Sequence, residues 1–189
     1  MAGGSYKLKI CLSVNRLALW WRKTTKELAM YSISSVSPAH PDIVALIAAL
    51  DSYQSALYPT ESNHLLDLTQ LPAQMLIMMV IRDRQLNAVG CGAVVLNSDG
   101  SGEMKRVYID PAHRGQQLGE KLLAALEDEA LSRSCHTLRL ETGIEQHAAV
   151  RLYERCGYQL RAAFAPYVED PLSLFMEKLL VADLRLAGL

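Results

Sequence analysis

Gly102-Glu-Met-Lys-Arg-Val-Tyr-Ile-Asp-Pro-Ala-His-Arg-Gly-Gln-Gln-Leu-Gly119 decides how this chain folds. Residues 103–109 alternate in polarity and read as a strand. Asp110-Pro111 breaks it, and a short loop leads to Arg114-Gly115. A helix follows, with Leu118, Leu122, Leu126 and Ala130 on one face and Leu123 beside them. Strand, glycine turn and helix start together build an anion site from backbone alone. The first amides of a helix have no internal partner, and the macrodipole makes that end positive. A phosphate or pyrophosphate fits there without a lysine. The segment therefore points to a phosphorylated cofactor.

Upstream, residues 32–37 alternate as a first strand, and Pro41-Asp42 opens a helix with Ile43, Leu46, Ile47 and Leu50 on one face. Residues 59–72 are polar and irregular, a loop with a helical turn that could border a pocket. Residues 75–81 read as a buried strand and Arg82-Asp83-Arg84 as a turn. Residues 85–96 read as a second strand, in which Gly90 and Gly92 point to a bulge or a close backbone approach. Residues 97–102 form a hairpin loop. Downstream, residues 138–141 are a short strand. Residues 146–155 are a helix with Ala149, Leu152, Tyr153 and Cys156 on its apolar side, ended by Gly157. Residues 158–163 and 172–177 are two last strands. The order is α/β, an antiparallel meander joined to a βαβ-type crossover.

With 189 residues, half of them apolar, the chain makes one domain with a sizeable core. No apolar run approaches the roughly 20 residues that span a bilayer, so no membrane partner is expected. Cys11, Cys91, Cys135 and Cys156 are scattered, with no CxxC pair. They read as reduced, mostly buried thiols of a cytoplasmic protein. The five histidines form no HxxxH or HExxH pattern, so no metal is expected.

The net charge of −1 hides an asymmetry. Residues 1–29 carry six basic residues and one acid, leaving 13 basic and 19 acidic residues in the remainder. An acidic domain is a poor nucleic-acid binder. Residues 1–29 also hold both tryptophans, Trp20 and Trp21, and have no clear period. They read as a non-native or disordered extension, with Met30 the natural start and the domain over residues 30–189. Lys26-Glu27 is encoded AAR-GAR, and AAG-GAG would be a ribosome-binding sequence two codons ahead of Met30. A basic arm that binds nucleic acid or membrane is the competing reading.

Four pieces in order then carry a family resemblance: Val107-Tyr-Ile-Asp-Pro111, Arg114-Gly-Gln-Gln-Leu-Gly119, Gln146-His-Ala-Ala-Val-Arg-Leu-Tyr-Glu154 and Cys156-Gly-Tyr158. Over roughly residues 30–180 the chain resembles the GNAT superfamily of N-acetyltransferases. Leu140-Glu-Thr-Gly143, Tyr167 and Asp170-Pro-Leu-Ser-Leu-Phe175 are similar to one bacterial subgroup of small, single-domain members. The resemblance implies the acyl-CoA N-acyltransferase fold, a mixed, mostly antiparallel central sheet flanked by helices. It implies acetyl-CoA in a V-shaped opening between two parallel strands. Val107, Tyr108 and Ile109 would offer backbone groups to the pantetheine arm. Arg114 stands at the motif's first position, and the amides of Gly115, Gln116, Gln117, Leu118, Gly119 and Glu120 would hold the pyrophosphate. One departure is Gln117, where the family's pattern has glycine; a side chain there narrows the room for backbone approach. Gln146 replaces the usual asparagine near the pantetheine.

Acetyl transfer to an amine needs a neutral amine, a polarised thioester carbonyl and a proton for the departing thiolate. Tyr153 fits the family's thiolate-protonating position, although its spacing would equally bury it as packing. Glu103 and Glu141 are the candidate bases, singly or together, with salt-bridged strand ends and a route through bulk water as the alternatives. Tyr167, Asp170 and Ser173 line the acceptor pocket by subgroup resemblance. The expected acceptor is a small-molecule amine. A protein lysine or N-terminus, or a non-catalytic acyl-CoA sensor, are the other readings. A homodimer through the last strands is the one macromolecular partner the resemblance raises.

Overall fold

The computed structural model describes residues 30–57 and 66–181. The readings of residues 1–29, including Cys11 and the tryptophans, of the centre of the 59–72 loop, and of the last eight residues lie outside the described residues. The elements are β1 (Tyr31–Ser35), α1 (Pro41–Ser55), β2 (Leu76–Asp83), β3 (Ala88–Leu96), β4 (Ser101–Ile109), α2 (Leu118–Ser132), β5 (Thr137–Gly143), α3 (His147–Arg155), β6 (Gln159–Arg161) and β7 (Ser173–Leu179). They form one seven-stranded mixed sheet in the order β1-β2-β3-β4-β5-β7-β6, with three helices against it. The expected fold class is the observed one.

Each face of the sheet has its own core. Leu118, Leu122, Leu123, Leu126 and Ala130 of α2 pack with Tyr153 of α3 on Ile77, Val94, Met104, Leu138, Leu140 and Met176. On the other face, Ile43, Leu46 and Leu50 of α1 pack on Met78, Val80, Cys91, Ala93 and Tyr108. Alternation along β2, β3 and β4 sends successive side chains to opposite cores. Burying one such leucine contributes roughly 1.5–3 kcal/mol.

Only β4 and β5 run parallel, and they pair briefly: Ser101 with Thr137, Gly102 with Leu138 and Glu103 with Arg139. Beyond that point the strands share no ladder, and the sheet opens as a V. A bulge sits where the opening begins. Between Cys91 and Ala93 the register of β3 on β4 shifts, and Arg106 takes a left-handed φ of 56°. That conformation costs roughly 1–2 kcal/mol for a residue with a Cβ. An ion pair from Arg106 to Asp51 of α1 ties the bulge to the helix. The glycines of β3 mark close approach here. A Cβ on Gly90 would lie 2.7 Å from Ile109 Cδ1 and 2.9 Å from the Tyr108 carbonyl oxygen.

Several boundaries differ from expectation. The turn read at Arg82-Asp83-Arg84 falls later, because Arg82 and Asp83 still pair with Ser32 and Tyr31 of β1. The Asp83 carboxylate then collects the amides of Gln85 and Asn87, each at 2.9 Å. β3 therefore starts at Ala88 rather than residue 85. β6 shortens to Gln159–Arg161, and residues 162–172 form a strap over the α1-side face of β5 and β7.

Candidate active site

A cleft of about 430 Å3 opens along the V on the side of α2 and α3. Val107, Tyr108 and Ile109 of β4 form one wall, and Gln146, Ala149, Leu152 and Tyr153 form the other. Gly115, Gln117, Leu118, Gly119 and Glu120 close the end at the start of α2. Arg114 also lines the cleft; its Nε donates to the Ile109 carbonyl at 3.0 Å, and its guanidinium stands 6.0 Å from the Tyr53 ring. Sequence reasoning missed Leu50 and Tyr53 of α1 and Arg155 of α3, which also line it. Nothing local marks them, since they arrive from separate helices.

The turn into α2 explains how glutamine stands at a glycine position. Gln117 is the residue before α2 and adopts φ 58°, ψ 23°, so its backbone takes the left-handed shape that glycine would favour. The amide path survives at a strain cost of roughly 1–2 kcal/mol. Gly115 has φ 77°, and a Cβ there would meet nothing within 4 Å. Its value is backbone freedom and an open approach for a ligand. The Gln116 side chain turns elsewhere, while the expectation for this residue concerns its backbone amide. It is absent from the cleft lining and accepts from the Tyr31 hydroxyl at 2.9 Å, which leaves only its amide for a ligand. Glu120 is paired with Arg155 through Nη2 at 2.7 Å and Nε at 3.2 Å, and this pairing holds its carboxyl below the usual range.

Tyr153 sits at the inner end of the cleft, 7% exposed. Burial, with the negative charge of Glu141 and then Cys156, raises its pKa above the usual 10.0. Its hydroxyl therefore stays protonated at any physiological pH. The ring also packs edge-on to Tyr158 at 5.7 Å, so the packing and the acid readings are both met by one side chain.

The remaining expected residues lie on the opposite face. Glu103 is bound by Lys105 Nζ at 2.8 Å and by the Tyr167 hydroxyl, which donates to it. Lys105 Nζ in turn donates to the Tyr167 oxygen at 2.6 Å. Burial, then the hydrogen bond and charge of Glu103, then Glu141, raise the Tyr167 pKa. The salt-bridged alternative read for Glu103 is thus its observed state. The Glu141 carboxylate accepts from the Ser173 hydroxyl at 2.6 Å. Asp170 is engaged within its own turn. Its carboxylate accepts from the Leu172 amide at 2.8 Å and its carbonyl from the Ser173 amide at 3.0 Å, so it shapes the turn into β7.

Cys91 and Cys135 are buried and Cys156 is partly so, all three free thiols. Burial, with Glu127 and Glu120, raises the Cys156 pKa, which makes it a poor nucleophile. Among the described residues no cluster of three or more His, Cys, Asp or Glu could hold a metal, and no helix is long and apolar enough to cross a membrane.

The cleft thus joins a backbone cradle at a helix start, a strand edge without a β5 ladder partner and a buried phenol. The acetyltransferase (GNAT) family model matches residues 43–158. The chain belongs to that family of acetyl-CoA-dependent acyltransferases. A protein of Azospirillum brasilense named IAA acetyltransferase is 45% identical over 148 residues, covering 78% of this chain and 96% of that protein. The crystal structure of a putative acyl-CoA N-acyltransferase from Klebsiella pneumoniae is 62% identical with a TM-score of 0.74, covering 81% of this chain and 99% of that one. The fold is shared with yncA of Salmonella typhimurium, solved with acetyl-CoA, at 19% identity, a TM-score of 0.55 and coverage of 81% and 95%.

Proposed function

We propose that the chain transfers the acetyl group of acetyl-CoA to the primary amine of a small molecule, by direct attack with both substrates bound. One observation carries this reading. The cleft holding Tyr153 lies where the short β4–β5 ladder ends and takes in Leu50, Tyr53 and Tyr108 from the α1 side, and Glu141 is near enough to Tyr153 to add, after burial, to the rise in its pKa. A donor entering on one side and an acceptor on the other would meet between the acid and the carboxylate.

The residues fit the donor. Beyond Glu103 the β4 backbone has no ladder partner on β5, so Val107 to Ile109 can bond a pantetheine amide. The amides around Gly115 suit a pyrophosphate. When bound, acetyl-CoA supplies a thioester whose C–S bond breaks as the C–N bond forms. Backbone N–H groups of β4 polarise the carbonyl. Tyr153, kept protonated by burial, gives its proton to the sulfur. Glu141, oriented by Ser173, takes one from the amine. Glu103 is already engaged by the Lys105 ammonium and the Tyr167 hydroxyl, which leaves it less free to approach an amine. The name of the A. brasilense relative specifies an acceptor, and this supports a dedicated acceptor over a general protein substrate.

The test is acetyl-CoA-dependent thiol release across amines, amino acids and peptides, with Tyr153→Phe alongside. Loss of about 10²–10⁴ in kcat, with donor binding retained, is the expected result for a lost general acid. Binding without turnover on any acceptor would turn the reading to a sensor. Turnover on peptides alone would turn it to a protein acetyltransferase.

A further inference from the structure

Granting the amine acceptor of the preceding section, the geometry points to an acceptor that carries its own carboxylate, an amino acid or a close analogue, with Arg139 and Arg161 receiving that group. Along β5, Leu138 and Leu140 enter the α2-side core, so Arg139 and Glu141 share the opposite face. Across the sheet, Arg139 stands opposite Glu177, and Arg161 and Glu141 each stand opposite Phe175. Glu141 and the two arginines therefore surround one patch.

The charges in the patch are unevenly shared. Arg139 Nε, at 2.9 Å, and Arg161 Nη1 both bind a single oxygen, Glu177 Oε2. A guanidinium offers five N–H donors in a planar fork, and one carboxylate oxygen uses few of the ten. Glu103, the neighbour of Arg139 on β4, is bound by Lys105 and Tyr167. Asp99 also feels Arg139, but it is hydrogen-bonded to the Ser101 hydroxyl at 2.6 Å. Arg161 Nε takes the Ala162 carbonyl at 3.0 Å. The two guanidiniums lie 6.0 and 5.3 Å from the centroid of Phe164, and their side chains stay 29% and 27% exposed. Both guanidiniums thus stand against one ring with part of each side chain left to solvent, an arrangement compatible with a bidentate anion.

Spacing supports the match. Two residues along a strand span about 7 Å. In an α-amino acid the amine and carboxylate lie about 3 Å apart, and a hydrogen bond of about 2.8 Å at each end brings the total to about 8.6 Å, a little more than that span and within the reach of a long, flexible arginine side chain. An amine facing Glu141 would thus place its carboxylate toward Arg139. A structural ion pair needs one arginine for Glu177; the second is what a ligand carboxylate would require.

The experiment compares matched acceptors on the full chain: an amino acid, its carboxamide and the carboxyl-free amine, with rates expressed per unprotonated amine. The expected result is a kcat/KM at least about tenfold higher for the carboxylate form, as for a charge-assisted bidentate contact. Arg139→Gln and Arg161→Gln are expected to raise KM for the amino acid about tenfold, with kcat within about twofold and the carboxamide unaffected. A merely structural pair would change all three acceptors alike, and that result overturns the inference. Equal kcat/KM for carboxylate and carboxamide in the unmutated protein overturns it too, while the amine reading stands. Turnover on no amine at all overturns both. If either variant fails to fold, the unmutated comparison decides alone.

Discussion

The two sides of the V are built by different means. The donor cleft comes from backbone and apolar side chains, most of them within residues 107–120 and one helix. The face proposed for the acceptor is built from polar side-chain contacts that join residues 32 to 64 positions apart: Ser173 to Glu141, Arg139 to Glu177, and Tyr167 to Lys105 and Glu103. A site made of amides tolerates changes of side chain and serves one constant ligand. A site made of charge pairs can be rewired by single substitutions. On the proposed reading, donor binding tolerates side-chain changes that the acceptor side does not.

The sharpest way to break that contrast is to separate the two carboxylates. Glu141→Gln is expected to lower kcat about 100-fold near neutral pH, within the range for a lost general base, with acetyl-CoA affinity unchanged by calorimetry. Glu103→Gln is expected to lower kcat by less than about tenfold, because Lys105 and Tyr167 already engage that group. The reverse order would move the base to β4 and erase the division of labour.

A second effect lies where the two sides join. Gly90→Ala places a Cβ against the Tyr108 carbonyl oxygen and Ile109 Cδ1, and the carbonyl cannot rotate aside. A loss of about 1–3 kcal/mol is expected from overpacking, read by urea unfolding, together with weaker acetyl-CoA binding. Loss of stability with full donor affinity would show that the edge of the V does not depend on the β3–β4 contact.

The smallest effect tests the shared core beneath the bulge. Burial pushes the Cys91 thiol from 9.0 up to about 12. The folded chain keeps this proton after the unfolded chain has released it. The stabilisation is complete below pH 9 and declines as pH rises toward 12. At pH 10 the loss is about 1 kcal/mol, and the raised tyrosines 153, 158 and 167 add to it above pH 10. Cys91→Ala should flatten the slope of unfolding free energy between pH 9 and 10; an unchanged slope would assign the alkaline sensitivity elsewhere.

The same contrast governs what the sequence revealed. The face of α2 was legible because Leu118, Leu122, Leu123, Leu126 and Ala130 repeat at helical spacing, and all five are buried. The cleft was legible because its glycines and helix start are contiguous. Gly90 and Gly92 announced the close approach, but not that Arg106 on the facing strand would carry the bulge. Long-range pairs leave no local trace. Lys105 reads as an ordinary strand charge until Tyr167 is folded over it. Arg161 and Arg139 become neighbours only through β7. The turn role of Asp170 was within reach, since an aspartate two residues ahead of an amide commonly caps it.

Tyr31 opens β1, yet its hydroxyl holds Gln116 and its ring stands edge-on to His113 at 6.2 Å. This edge strand is therefore mechanically fastened to the loop proposed to hold the pyrophosphate of the donor. A fluorophore attached beside Tyr31 would sit one side chain away from that loop. The edge of the sheet is then a natural place to turn this enzyme into an optical sensor of donor loading, and a poor place for an inert affinity tag.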